Sequence, residues 1–321
     1  KISQLKEFVE EVIRILYYYR GRAVFSFSGV ALGILSICII VTTIDGANKK
    51  AQEIFEMLGP DSIMIFGVGE KQRAARIRTS TLKVEDADLI ARVEGIYDLM
   101  RVYSARNVMM RYRDRNWQTL VIGSTTNYFD SLAWKFQTGV TYTAEDYANA
   151  GAVCVIGARV YDELFKDEDP LGKTILVGKL PTRVIGVLEE RGGSFGGPHV
   201  DDRIIMPLTT VTSRIVNEKR YLSLVRVKTN RDLDRTIEDI RITLRQSHGL
   251  QGSLDDDFTL RSSKDILAFV TVISGSLLLF LGTAAVVALV VSGFVLANLF
   301  YLNIQERKKD IGIRRAYGAT R

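Results

Sequence analysis

The sequence is poor in the residues that staple extracellular folds or hold metals and nucleophiles. Its 321 residues include only two cysteines, two histidines and five prolines. Cys38 lies in an apolar run and Cys154 in the large middle segment, so neither a disulfide framework nor a zinc spacing exists. His199 and His248 stand isolated among loop-type residues, without partners at a spacing that a metal or nucleophilic site needs. Charge is absent from two long stretches, residues 23–44 and 266–305. With no ionisable side chain inside them, neither run supports a proton or ion relay. Elsewhere the basic residues are scattered, so a net charge of +6 gives no patch for nucleic acid.

The second uncharged run organises the rest. Between Asp265 and Glu306 it is long enough for about 60 Å of helix, twice the ~30 Å hydrocarbon thickness, so it is predicted to span a membrane and project beyond it. Ala284, Ala288 and Ser292 recur along it at four-residue spacing, which lets membrane helices approach backbone to backbone. Residues 22–45 have the length of one span, exceed a signal-peptide core and lack a convincing cleavage site. Ser26, Gly29, Gly33 and Ser36 share a face there, with a Gly-xxx-Gly pair marking a packing seam. Ile44, Ala47, Ala51, Ile54 and Leu58 keep helical spacing until Gly59-Pro60. Both spans are therefore predicted to continue outside the membrane as a stalk.

Charge sets the orientation. Lys1, Lys6, Arg14, Arg20 and Arg22 precede the first run; Arg307, Lys308, Lys309, Arg314, Arg315 and Arg321 come after the second. Both ends are predicted to be cytoplasmic and residues 46–265 extracytoplasmic. Residues 1–21 carry Ile2, Leu5, Val9, Val12, Ile13 and Leu16 on one stripe, a pattern for a helix lying along the cytoplasmic membrane surface.

The middle segment has ordinary soluble composition. Alternation predicts strands at residues 62–66, 222–228 and 258–261, helical spacing predicts helices at 85–96 and 233–244, and 99–122 reads as a hairpin turning near Asp114-Arg-Asn116. The fold class is α+β: residues 46–122 and 220–265 form a stalk-proximal layer, and residues 123–219 an inserted β-rich lobe. Residues 266–305 come next as stalk and second span, then residues 306–321 as a cytoplasmic segment.

That last segment reads Glu306-Arg-Lys-Lys-Asp310-Ile-Gly-Ile-Arg-Arg315-Ala-Tyr-Gly-Ala-Thr320-Arg. It has a helical pattern with Ile313, Ala316 and Tyr317 on one face, Gly318 placed to stop it and Thr320 placed to cap a further helix. A basic stop-transfer anchor explains its charges but not Ile-Gly-Ile or Gly-Ala. Directly after a membrane helix, it closely resembles the coupling segment of MacB/FtsX-type ABC-transporter permeases, with Asp310 where glutamate is more usual and Tyr317 where a smaller apolar residue is common. The outer segment supports the MacB-like branch: Gly151-Ala-Val-Cys-Val-Ile-Gly157, Asp169-Pro-Leu-Gly-Lys-Thr174 and Arg183-Val-Ile-Gly-Val-Leu188 are similar to the outer-lobe pattern of that family, whose close relatives include lipoprotein-releasing permeases.

The resemblance implies a noncatalytic permease subunit in a bacterial inner membrane, carrying no cofactor; ATP and Mg2+ belong to a partner cytoplasmic ABC ATPase. That ATPase would push Glu306, Asp310, Ile311, Gly312, Ile313, Arg314, Arg315, Ala316, Gly318 and Ala319. It further implies a second permease, as homodimer or heterodimer; the small-residue positions Gly29, Gly33, Ala284, Ala288 and Ser292 mark helix packing without identifying the partner. A periplasmic adaptor and outer-membrane duct are candidate further partners, the cargo is a drug, peptide, lipid or lipoprotein, and two more membrane helices are expected beyond Arg321.

Other motifs carry no chemistry. Gly172-Lys173-Thr174 ends like a phosphate loop, but Asp167 stands where its first glycine belongs, and a turn after Asp169-Pro170 explains it. Gly192-Gly-Ser-Phe-Gly-Gly197 reads as a loop without the helix and lysine that hold a phosphate. Asp255-Asp-Asp257 reads as a solvated turn. No acid, base and nucleophile converge, which disfavours an enzyme. The rival reading, a two-span receptor with an outer sensor domain, shares this topology. The two readings part beyond the second span, where a receptor needs a helical signalling linker and a permease two more apolar runs.

Overall fold

The computed structural model describes residues 20–69, 80–166, 168–192, 199–306 and 308–317. Residues 1–19 of the surface helix predicted at residues 1–21, all but Gly192 of the glycine-rich loop, and Gly318 and Ala319 fall outside the described residues. The chain divides into two compact units, one of Lys1–Lys49 with Phe269–Arg321 and one of Lys50–Ala268.

The first unit is helical. It draws on α1 (Arg20–Leu58), α8 (Ser263–Glu306) and α9 (Lys308–Ala316). Residues Ser263–Val291 of α8 are long and apolar enough to cross a membrane, and the apolar stretch described in α1 is Gly33–Ala47. Phe269, Leu279, Phe280 and Phe294 are each 66–73 % exposed. So much contiguous apolar surface is untenable in water and natural in lipid.

The second unit is a mixed α/β domain on a single ten-stranded sheet. Its strands are β1 (Ser62–Phe66), β2 (Ile96–Tyr112), β3 (Arg115–Ser124), β4 (Phe136–Gly139), β5 (Val153–Ile156), β6 (Thr174–Val177), β7 (Leu180–Leu188), β8 (Arg203–Pro207), β9 (Leu224–Thr229) and β10 (Thr259–Ser262). The order is β10-β1-β9-β2-β3-β8-β5-β7-β4, with β6 pairing to β2 and β7. Among the described residues only β3–β8 and β5–β7 are parallel; every other strand pairing is antiparallel. Strands β4 to β8, all from residues 123–219, join the same sheet as β1, β9 and β10.

Apolar alternation accounts for β1, where Ile63 and Ile65 are fully buried and Met64 and Phe66 only partly so. Burying such a side chain stabilises by roughly 1.5–3 kcal/mol. They share a core with Leu222, Val225, Val227 and the buried stripe Leu233, Ile240 and Leu244 of α7 (Leu233–Ser247). Asp232 caps α7 by accepting from the Arg235 N–H at 3.1 Å. A second core lies under β5–β8 around Cys154, Ile156, Ile204 and Met206, and a third around Phe129, Trp134, Tyr142 and Ile205. Both cysteines are free thiols, and burial pushes the Cys154 thiol well above its ordinary pKa.

One element differs from its predicted form. The helix expected at residues 85–96 is α2 (Val84–Ile90), which ends before Val93; Gly95, at φ 88°, turns the chain into β2. Val93 and Ile96 still pack on the core that the helix covers, so their spacing reported burial rather than helix. The hairpin is present and turns at Arg113 and Asp114, near the predicted Asp114-Arg-Asn116, with Tyr112 opposite Arg115 and Arg113 at φ 52°. The turn after Asp169-Pro170 is present: Leu171 N–H donates to Asp169 Oδ1 (3.0 Å) and Lys173 N–H to the Pro170 carbonyl (3.1 Å).

Candidate functional site

Helix α8 grows directly out of β10, and its start is fixed by a reciprocal cap. Ser262 Oγ accepts from the Asp265 N–H at 3.2 Å, while Asp265 Oδ2 accepts from the Ser262 N–H at 2.8 Å and from its hydroxyl at 2.9 Å. The other long helix ends at the same place. Gly59, at φ 81°, closes α1 through its N–H to the Phe55 carbonyl (2.9 Å), and its own carbonyl accepts from Ser263 Oγ at 2.6 Å. Ser263 Oγ also reaches the Ser62 carbonyl at 3.3 Å, and β10 and β1 pair from Ile63–Ser262 to Phe66–Thr259. The end of one long helix, the start of the other and two strands of the sheet are thus tied within a few residues.

Within the helical unit, small and apolar residues meet. Gly33 is buried, and a Cβ added to it would lie 2.9 Å from Leu289 Cδ2. Ile40, Ala47, Ser274 and Ala285 are also buried. Ala284 is exposed in this chain, whereas Ala285, one position on, is not. Gly29, Ala288 and Ser292 lie within the two helices, and their surroundings fall outside the described residues. Hydroxyls on the helices are satisfied by their own backbone, as Thr42 is by the Cys38 carbonyl (2.8 Å) and Ser276 by the Val272 carbonyl (2.8 Å).

The basic segment after the span is α9, Lys308–Ala316. Gly312, Ile313, Ala316 and Tyr317 are exposed, Tyr317 to 90 %, and among the described residues nothing lies within 4 Å of the position a Gly312 Cβ would take. Glu306 ends α8; Asp310, Ile311, Arg314 and Arg315 belong to α9, with side chains outside the described residues. An aromatic, an isoleucine and an alanine therefore face outward beside Lys308 and Lys309, also exposed. That surface suits a protein groove better than water.

Sequence reasoning overlooked a charged cluster in the outer domain. His248, at the end of α7, has its Nδ1 2.7 Å from Asp257 Oδ1 and its Nε2 3.0 Å from Asp86 Oδ2. Its side chain is 4 % exposed and that of Asp86 1 %. Hydrogen bonds to Asp257 and then Asp86 outweigh burial and push the imidazole pKa up to about 9. Burial alone would raise the Asp86 carboxyl, but bonds from His248, Ser247 Oγ (2.7 Å) and Lys83 N–H (2.7 Å) together hold it below its ordinary value. Asp256 pairs with Arg245 at 2.5 Å and with Arg241 at 3.4 Å, so Asp255-Asp-Asp257 is a tether rather than a solvated turn. Both His248 nitrogens face carboxylates, and the cluster joins α2, α7 and the lead into β10 without an open position for a ligand. No local motif announces it, because Asp86 lies far from His248 in the chain.

Comparison with known proteins agrees with this arrangement. Residues 23–242 match the MacB-like periplasmic core domain, and residues 282–321 match the FtsX-like permease C-terminal family. The macrolide export ATP-binding/permease protein MacB of Neisseria meningitidis is 31 % identical over 99 % of this chain and 49 % of its own length. The pyoverdine export ATP-binding/permease protein PvdT of Pseudomonas fluorescens is 26 % identical over 99 % of this chain and 47 % of its own. The chain thus spans about half the length of the curated relatives it matches. The crystal structure of the periplasmic region of MacB from Actinobacillus actinomycetemcomitans aligns at a TM-score of 0.58 and 23 % identity, covering 69 % of this chain and 98 % of that one. The extracellular domain of the transporter YknZ from Gram-positive bacteria aligns at 0.50 and 20 %, covering 63 % and 100 %. These likenesses establish the fold of the outer domain.

Proposed function

The chain belongs to the MacB-like family of ABC-transporter permeases, and on that premise we propose that it is the permease subunit through which ATP hydrolysis in an ATP-binding unit drives export or extraction of a hydrophobic or amphiphilic substrate. The single observation that carries the reading is the exposed α9 surface, Gly312, Ile313, Ala316 and Tyr317, placed directly after a helix able to span the membrane. Residues 306–319 dock on the ATP-binding unit, held by a partner subunit. Closure on ATP pushes them, α8 carries the displacement, and the Ser262–Asp265 cap with the Gly59–Ser263 bond passes it to the sheet. Rigid transmission needs a stiff element with a fixed far end, which a capped 44-residue helix supplies.

In this reading both ends of the chain are cytoplasmic, residues 46–265 lie outside a bacterial inner membrane, and the part of the sheet contributed by residues 123–219 meets cargo. Two permeases, identical or related, stand side by side, with Gly33 and Leu289 closing the seam between the two helices of each chain. ATP and Mg2+ are bound by the ATP-binding unit and not by this chain. An adaptor and an outer-membrane duct are candidate further partners. The names of the relatives, macrolide and pyoverdine exporters, favour amphiphilic cargo.

The test is purification of the full-length gene product from native membranes, with identification of the proteins that accompany it. Recovery of a nucleotide-binding polypeptide whose ATPase activity falls or uncouples when Gly312 and Ala316 are enlarged is the expected result. Recovery of a kinase or adaptor scaffold with no ATPase would turn the outer domain into a sensor.

A further inference from the structure

Three irregularities of the outer domain converge on one cavity of about 580 Å3. The first is a bulge in β2: its register against β3 slips between Ala105 and Val108, and Asn107 adopts a left-handed φ of 58°. The second is the tip of the β6–β7 hairpin, where Gly178, at φ 63°, donates its N–H to the Met109 carbonyl at 2.8 Å and sets Lys179 at the turn. The third is a short π-helix, Val211–Ile215, of a kind that concentrates at functional sites. Each irregularity presents one cation to the cavity: Arg106 from the bulge, Lys179 from the hairpin tip and Arg214 from the π-helix.

The remaining lining is largely apolar. Tyr103, Val108, Ile215 and Val216 line it and pack underneath on the buried core of β5–β8. Among the described residues no carboxylate lines the cavity, and none of Arg106, Lys179 and Arg214 has an ion-pair partner. Burial and then the Glu218 carboxylate raise the Tyr103 hydroxyl, and Glu218, which does not line the cavity, accepts from the Arg220 N–H at 3.0 Å. A volume of this size falls in the ~300–1,000 Å3 range of small-molecule sites, and an apolar floor rimmed by unpaired cations is complementary to one kind of ligand.

We propose that the cavity between the β2 bulge, the β6–β7 hairpin tip and the π-helix binds a small amphiphilic anion, its acidic group held by Arg106, Lys179 and Arg214 and its apolar body laid on Val108, Ile215 and Val216. Whether that ligand is cargo rests on the permease reading above; binding itself does not.

The test uses the full chain in lipid nanodiscs and a dodecanoic acid carrying a diazirine at its chain end, compared with its methyl ester. After irradiation, labelled peptides are mapped by mass spectrometry. The acid is expected to label peptides around Val108 and around Ile215, and the ester to label them at least tenfold less. The combined variant Arg106→Gln, Lys179→Gln, Arg214→Gln should lower acid labelling there roughly tenfold. All three residues are exposed, so the fold is kept, and labelling of α8 by membrane-dissolved probe serves as the internal standard. Equal labelling by acid and ester, no loss in the triple variant, or labelling confined to the membrane helices would each overturn the proposal. None of these outcomes depends on an ATP-binding unit, so failure here is distinct from failure of the permease reading.

Discussion

His248 and Asp86, far apart in the chain, meet at 3.0 Å and fasten the end of α7 to the first turn of α2. The folded imidazole pKa of about 9 stands above its ordinary 6.5, so the stability it contributes is complete below about pH 6.5 and is lost as pH rises through about 9. Asp86, held below 3.8, adds stability present above that value and lost as pH falls through its folded pKa. Denaturant unfolding monitored by Trp117 and Trp134 fluorescence should therefore show His248→Gln about 3 kcal/mol less stable than the parent at pH 6, the gap closing toward pH 10. A pH-independent gap would mean that the imidazolium is not the tie.

At the helix seam, Gly33 leaves room for Leu289. Gly33→Ala displaces only the tip of a flexible side chain and should be nearly tolerated, whereas Gly33→Leu separates the helices. Thermal unfolding in detergent should fall clearly for Gly33→Leu, and Leu289→Ala should restore most of the loss. Equal effects of the two substitutions, with no rescue, would place the seam elsewhere.

The cap that starts α8 is testable by hydrogen exchange. Ser262→Ala removes one half of the reciprocal pair and should weaken the first turn by about 1 kcal/mol, read as faster exchange over residues 263–268. In the transmission reading the same variant also lowers transport per ATP hydrolysed. Unchanged coupling alongside faster exchange would remove the cap from the route.

Enlarging the open positions of α9 separates binding from anchoring. Among the described residues nothing opposes a side chain at Gly312, so Gly312→Trp should leave folding intact while blocking the surface proposed to dock. Vesicle assays should show ATP hydrolysis uncoupled from transport. Full transport by Gly312→Trp and Ala316→Trp would show that the face is not used.

Periodicity made the elements with one buried face legible. β1, α7 and β10 lie where alternation or helical spacing put them, because Ile63, Ile65, Leu233, Ile240 and Leu244 each answer to one core. The same signal overextended α2, since Val93 and Ile96 keep helical spacing while serving a turn and a strand. The charged cluster was illegible for another reason: His248, Asp86 and Asp257 have no shared local pattern and meet only after α2 and α7 pack. Along α8, four-residue spacing identified small residues but not rotation about the helix axis, which buries Ala285 and leaves Ala284 exposed within this chain. The cavity of Arg106, Lys179 and Arg214 depends on a bulge and a π-helix, neither of which has a sequence period.

The most direct test of the central claim is a photo-crosslink from α9. A benzophenone amino acid at Tyr317, which is 90 % exposed, is irradiated in intact membranes and the crosslinked peptides are sequenced. The account predicts adducts to a nucleotide-binding sequence that change in yield with ATP, and none from the same probe at Leu279. Adducts to a signalling protein, or none to any protein, would contradict it.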